Sequence, residues 1–500
     1  KKWIPYLIQG VNDWQKAFEK AGFKNAIYAK VPNPKDDPEW SLEDARFSAV
    51  VYKPSDVPNA SGPSIADPRT GEILESHINW YHNVMKLLND WYFVQASPND
   101  PRARKADFDD ELMGQLIRFV SSHEVGHTLG LRHNYGSSST VPVENLRNNS
   151  WLKTNGHTPS IMDYARFNYV AQPEDKINVD NLMPRIGDYD DWAIEWGYRR
   201  FYNYNSPEKE KTFINKWTIE KLQNPRLWFG TESNPFDPRS QSEQVGDNPM
   251  IAGKYGVKNL QRVIDNLEAW STKPNEDYSV LADRYNQVSG QFSRYLGHVA
   301  KYIGGVMETP KTVEQKGAVY ELVSKTEQKE ALKFLNDYAF TTPNWILKKD
   351  VLNKINRTPV DVVSNLQNGV LNRILMNGVL ENLNKGESID INAYSLFDYL
   401  QDLKSNIFSE LKTSSKIDIY RRNLQRSFVD NLLSKTDSAT SASIIRMGSS
   451  DNSDVKALVR GTLRDIRNEA SKSASQYSDS VTKYHLEDLV YRIDKALEVK

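Results

Sequence analysis

Apolar residues recur at helical spacing near the start of the chain. In GVNDWQKAFEKAGF, Val11, Trp14, Phe18 and Ala21 fall on one face, so the period predicts an amphipathic helix. DARFSAVVYKPS is rich in Val, Tyr and Phe and reads as a strand. Ser64 to Ile78 reads as a hairpin: two alternating arms around Asp67-Pro68-Arg69-Thr70-Gly71. Ile78 to Tyr92 is read as a helix. Acid at Asp107, Asp109, Asp110 and Glu111 marks another helix start, because negative charge suits the positive end of a helix dipole. Leu112, Leu116, Phe119 and Val120 continue that helix as one apolar stripe.

Beyond about residue 200 the strand signals fade. Amphipathic stretches follow one another at 257–270, 276–305, 312–340, 357–384, 393–412, 416–434, 454–473 and 477–497. The serine-rich segment from Ser438 to Asp454, with SDNSD in it, reads as a loop or linker. No internal repeat stands out. The expected architecture is α+β: a mixed domain of strands and helices over residues 1–200, then a mainly helical domain over 201–500.

Charge narrows the function classes. Lys plus Arg is 64 and Asp plus Glu is 65, so no field of one sign exists to recruit nucleic acid or an anionic membrane. No apolar run approaches the roughly 18 residues that a membrane-spanning helix needs. The chain has no cysteine, which excludes disulfides, thiolate metal sites and cysteine nucleophiles. KKWIPYLIQGVNDWQKAF lacks a signal peptide's apolar centre and cleavage site, and a helical pattern starts almost at once. The chain therefore reads as a piece of a longer precursor.

The chemistry concentrates in SSHEVGHTLGLRHN. Of eight histidines, three fall here, at His123, His127 and His133. His123 and His127 are one helical turn apart, so both imidazoles can reach one ion. Zinc accepts such nitrogens at about 2.0–2.1 Å in tetrahedral geometry. A continuing helix would point His133 away. Gly130 removes that obstacle, because glycine takes positive φ and commonly ends helices. Glu124 stands beside the pair, where its carboxylate can serve as base to a water acidified by the metal. Peptide-bond hydrolysis is the natural reaction. A lone histidine on a helix is usually a packing residue. HExxHxxGxxH as a unit is a far more specific signal.

That unit resembles the signature of the metzincin zinc metallopeptidases, matched by His123, Glu124, His127, Gly130 and His133 without a gap. SIMDYARF, Ser160 to Phe167, is similar to the clan's methionine-bearing turn. The resemblance implies that Met162 is a hydrophobic floor under the zinc and that Tyr164 donates to the oxyanion, against the plainer reading of Tyr164 as a packed core tyrosine. GPSIADPRTGEIL, SIMDYARFNYVAQPED and IGDYDDWAIEWGYR extend the likeness to large bacterial zinc-dependent proteases with a helical C-terminal region. It covers the first 200 residues well and the remainder weakly. It implies a protein or peptide substrate and an exported protein (periplasmic, cell-surface or secreted). It also implies that the clan's first strand, which should precede GVNDWQKAF, is cut short.

Other features carry less. The hairpin from Ser64 to Ile78 is a candidate edge for pairing with extended substrate, or a plain structural hairpin. His77, His82, His157, His298 and His485 lack a paired ligand spacing and read as surface or core residues. Asp188-Tyr189-Asp190-Asp191 lacks a calcium loop's alternation and closing glutamate, so it reads as a solvated helix start. Two rivals to a zinc endopeptidase remain. One is a non-catalytic binding or scaffold protein that keeps a zinc site, which leaves Glu124 without a task. The other is a zinc exopeptidase or deacylase.

Overall fold

The fold is that of a computed structural model, which describes residues 1–33, 35–231, 234–436 and 453–498. The serine-rich stretch at 438–452 lies outside the described residues. The chain divides into two compact units. One comprises residues 1–233 and 239–288, the other 234–238 and 289–500.

The first unit opens with α1 (Ile4–Asn12) and α2 (Gln15–Lys20), where the apolar period predicts one helix. The break falls at Asp13 and Trp14, and both are engaged elsewhere. Asp13 accepts from Arg118 Nε at 2.8 Å and from Ser122 Oγ at 3.1 Å, while Trp14 Nε1 donates to the Ser122 carbonyl at 2.8 Å. The periodic residues Val11, Trp14, Phe18 and Ala21 are all buried, so the period identifies the core face although not the break.

A small mixed sheet follows. It comprises β1 (Ala49–Lys53), β2 (Ala60–Ser61), β3 (Ser64–Ala66) and β4 (Ile73–Tyr81). β4 is central, parallel to β1 and antiparallel to β2 and β3 on its other side. β3 and β4 form the predicted hairpin, closed by Gly71 N–H donating to the Asp67 carbonyl at 2.8 Å. The helix expected from Ile78 begins only at Val84, as α3 (Val84–Ala96). Ile78 to Tyr81 belong to β4, where Ser76, Ile78 and Trp80 are buried in alternation. A period of two had been hidden by the apolar run that continues into α3.

The long helix α4 (Asp110–Thr128) starts where the acid cluster predicts, with the Asp109 carboxylate accepting from Leu112 N–H at 2.9 Å. Its inner face packs with α1, α2, β4 and the turn at Ile161–Asp163 in one core that includes Trp14, Phe18, Ile78, Val125 and Met162. After α5 (Asn149–Asn155) comes α6 (Asp188–Tyr198), whose start is not solvated as its acidic sequence suggests. Asp190 is fully buried and accepts from Ser160 Oγ at 2.6 Å, Ile161 N–H at 2.7 Å and Gly187 N–H at 2.9 Å. It ties the helix start to the methionine turn. Asp190→Ala leaves two buried donors and one half-buried donor without an acceptor and should cost about 3 kcal/mol, read as a lower denaturant midpoint. α7 (Pro207–Lys221) and α8 (Pro249–Ser271) complete the main helices of this unit.

The second unit is mainly helical, as the sequence pattern predicts. It takes the later part of α9 (Ser279–Ala300), then α10 (Lys325–Leu335), α11 (Lys349–Lys354), α12 (Pro359–Ile374), α13 (Asn377–Ile389), α14 (Leu396–Ile407), α15 (Glu410–Thr413), α16 (Ile419–Leu433), α17 (Val455–Ala474) and α18 (Ser480–Ala496). α17 packs on α14 and α18, and α16 on α12 and α18. Part of the stretch read as helix at 312–340 is instead the strand β6 (Tyr320–Leu322), which pairs antiparallel with β5 (Val306–Glu308). Among the described residues, no helix is long and apolar enough to cross a membrane.

Candidate metal centre

α4 brings His123 and His127 to one face, and the chain then reverses as the glycine allows. Gly130 has φ +85°. Its N–H donates to the His127 carbonyl at 3.0 Å, and Leu131 N–H donates to the Gly126 carbonyl at 3.1 Å. This pairing closes a helix end of the Schellman type, with the left-handed residue at Gly130. The next residues turn back and carry His133 over the pair.

The three imidazoles converge through Nε2. His133 Nε2 lies 3.2 Å from His123 Nε2 and 3.1 Å from His127 Nε2. Ligands on a tetrahedral zinc at about 2.0–2.1 Å stand roughly 3.3 Å apart, so the spacing fits the ion. The other ring nitrogens fix the tautomer. His123 Nδ1 donates to the Ile161 carbonyl at 2.9 Å and His127 Nδ1 to the Leu131 carbonyl at 3.0 Å. A carbonyl can only accept, so both Nδ1 atoms carry the proton and both Nε2 atoms offer lone pairs inward. His133 Nδ1 meets the Tyr135 hydroxyl at 2.9 Å. Burial pushes His123 down to about 3 and His133 down to about 4, and lowers His127 as well. Neutral rings whose Nε2 atoms converge on one point are able to hold a cation between them. This donor set suits zinc.

Tyr135 escaped the sequence reading, although it lies two residues past the last ligand. Tyr135→Phe removes the outer partner of His133 and should weaken zinc binding about 10–100-fold, measured by competition with a chromophoric chelator.

Glu124 is buried beside the ligands, 7% exposed. Loss of hydration pushes its carboxyl up to about 7, against the Gly62 N–H, which donates to it and pulls the other way. Met162 lies wholly buried under α4. A Cβ on Gly126 would fall 2.3 Å from Met162 Sδ, so the glycine inside HEVGH makes room for the sulfur. Met162's carbonyl also accepts from Asn134 N–H at 2.8 Å, next to the third histidine. The Tyr164 ring lies over the cluster, its centroid 5.0 Å from that of His133 and 5.5 Å from that of His123. Burial raises its phenol, which keeps it a proton donor at neutral pH. A pocket opens beside His123, Glu124 and Tyr164, lined by Leu87 and Trp91 of α3 and Phe119 of α4.

The remaining histidines stand apart from the cluster. His157 is buried and its Nε2 donates to the Arg166 carbonyl at 3.1 Å. His82 meets the Tyr52 hydroxyl at 2.9 Å, and His485 meets Gln425 at 2.8 Å. Among the described residues, His123, His127 and His133 form the one group able to hold a metal in this way.

Three inward imidazoles above a buried methionine define a zinc metallopeptidase-like centre. Comparison with known families agrees and narrows it. Residues 105–415, more than half of the chain, match the Met-zincin family, and the chain belongs to that family within the metzincin clan. The family binds zinc and implies a zinc metallopeptidase-like function, for which the substrate is a protein or peptide. No curated protein and no solved structure matches the chain.

Proposed function

We propose that the chain is a zinc-dependent endopeptidase in which Glu124 is the general base. One observation carries this reading: a buried carboxylate stands beside three convergent imidazoles, at the wall of a pocket. A metal with only a structural task has no use for a base held there, which argues against a scaffold protein.

When held by His123, His127 and His133, zinc supplies a Lewis acid that polarises the scissile carbonyl and acidifies water. The Glu124 carboxylate takes the proton of the attacking water and passes it to the leaving amine nitrogen. The Tyr164 hydroxyl donates to the carbonyl oxygen as charge gathers there. β3 offers its outer edge, which has no strand partner among the described residues, to the main chain of an extended peptide. Such a grip favours cleavage inside a chain over trimming of its ends.

Peptide libraries with free and with blocked termini test this. Internal cuts that stop with a chelator and return with zinc support the endopeptidase. Cuts confined to free termini favour an exopeptidase, and zinc-loaded protein that cuts nothing defeats the proposal.

A further inference from the structure

The methionine turn is tied at its start by Asp190, and beyond Met162 it is held from a distant segment, through Glu243. Tyr164 and Arg166 both have left-handed backbone, with φ +61° and +58°. L residues adopt that conformation at a cost and keep it where surrounding contacts over-determine it. Here the contacts come from Glu243, itself at φ +64° and 1% exposed. Glu243 N–H donates to the Tyr164 carbonyl at 3.1 Å. Its carboxylate pairs with Arg166 Nη1 at 2.7 Å and accepts from Gln95 Nε2 at 3.1 Å. Gln95 Oε1 in turn accepts from Phe167 N–H at 3.0 Å, so the carboxylate fixes the turn at Arg166 and Phe167 while the Glu243 N–H fixes it at Tyr164.

The Arg166 guanidinium so held lies 3.2 Å from the centre of the Trp91 ring and 5.2 Å from that of Tyr164. Trp91 and Tyr164 meet edge to face at 6.3 Å. Trp91, Tyr164 and Arg166 all line the pocket beside His123 and Glu124. Flanking residues make the same join. Gln241 N–H donates to the Tyr135 carbonyl at 3.3 Å, and Ser138 Oγ donates to the Gln244 carbonyl at 2.7 Å. A segment some eighty residues past the turn thus reaches the tyrosine and, through Tyr135, the outer partner of the third ligand.

We propose that Glu243 is a positioning residue for the Tyr164 hydroxyl: its backbone fixes the tyrosine's turn, and its carboxylate fixes Arg166, which backs the Tyr164 and Trp91 rings. The proposal rests on the peptidase reading, in which Tyr164 donates to the substrate oxygen. Glu243 does not touch substrate and acts through the turn.

A double-mutant cycle on the full chain tests it. Glu243→Gln keeps side-chain shape and the backbone bond to Tyr164 but removes the charge that holds Arg166. It should lower kcat on an internally quenched peptide about tenfold or more, because small misplacement of a catalytic group is costly. KM should change less than about twofold and zinc content should not change. In a Tyr164→Phe background the same substitution should lower kcat by less than about twofold, since the hydroxyl it positions is gone. If Glu243→Gln does not fold, Arg166→Gln with Glu243→Gln leaves no charge buried alone and carries the same comparison. Equal losses of kcat in the two backgrounds would reduce Glu243 to a purely structural residue and overturn the proposal. Full kcat in Glu243→Gln, with a parent that cleaves, overturns the positioning role alone. A zinc-loaded parent that cleaves no peptide overturns the peptidase reading and this proposal together.

Discussion

Replacing Glu124 with glutamine should lower kcat/KM for an internally cleaved peptide by roughly 10²–10⁴-fold, the usual worth of a positioned general base. Zinc content should stay at the parent's level, because the three imidazoles alone form the converging donor set. The variant should also fold. Glutamine is nearly isosteric, and its amide oxygen can still accept from Gly62 N–H, the bond that the carboxylate makes. The loss therefore reports proton transfer rather than damage to the centre. In free-energy terms it corresponds to about 3–5 kcal/mol of transition-state stabilisation. Steady-state kinetics beside metal analysis decides the matter. A glutamine variant with parental turnover would remove Glu124 from the reaction.

Gly130→Val should weaken zinc binding although Gly130 touches no ligand atom. A Cβ there would meet only Ile73 Cδ1, at 3.9 Å, so there is no clash to blame. The cost is in the backbone. At φ +85° a β-branched residue is strained by about 1–3 kcal/mol. The helix end can relieve that strain by unwinding, which withdraws the His133 imidazole from the other two. If the whole cost falls on the metal, Kd rises about 5–150-fold. Gly130→Asn should lose much less, because asparagine tolerates the left-handed region. Competition titration of both variants is the measurement. Valine and glycine chains with equal zinc affinity would sever the link between this turn and the third ligand.

What the sequence reveals of this centre follows chain distance. His123, His127, Gly130 and His133 lie on one short stretch, so helix geometry and a glycine suffice to bring the rings together. The hairpin at Asp67–Gly71 is legible for the same reason, being a local turn between alternating arms. Asp190, Glu243 and Gly62 are not legible. Each acts by meeting a backbone or side chain far away, and nothing in the local pattern marks a carboxylate that will be buried. Asp190 sits among acids that suggest a solvated helix start, yet it alone of them is buried under the turn. Elements were misread where two periods adjoin. β4 runs almost directly into α3, and β6 lies just before α10, so one apolar stretch covers both a strand and a helix. Asp13 divides the first helix through contacts with Arg118 and Ser122, which no periodicity contains.

The seat of Met162 on Gly126 has a consequence for oxidative damage. Met85 of α3 is half-buried, whereas Met162 is closed off from solvent beneath α4. A sulfoxide adds an oxygen and a strong dipole to an apolar sulfur. Between Met162 Sδ and the helix backbone at Gly126 there is no volume for that atom. Oxidation of this methionine must therefore wait for the turn to open. Its rate, followed by peptide mass spectrometry under constant peroxide, becomes a clock for that opening.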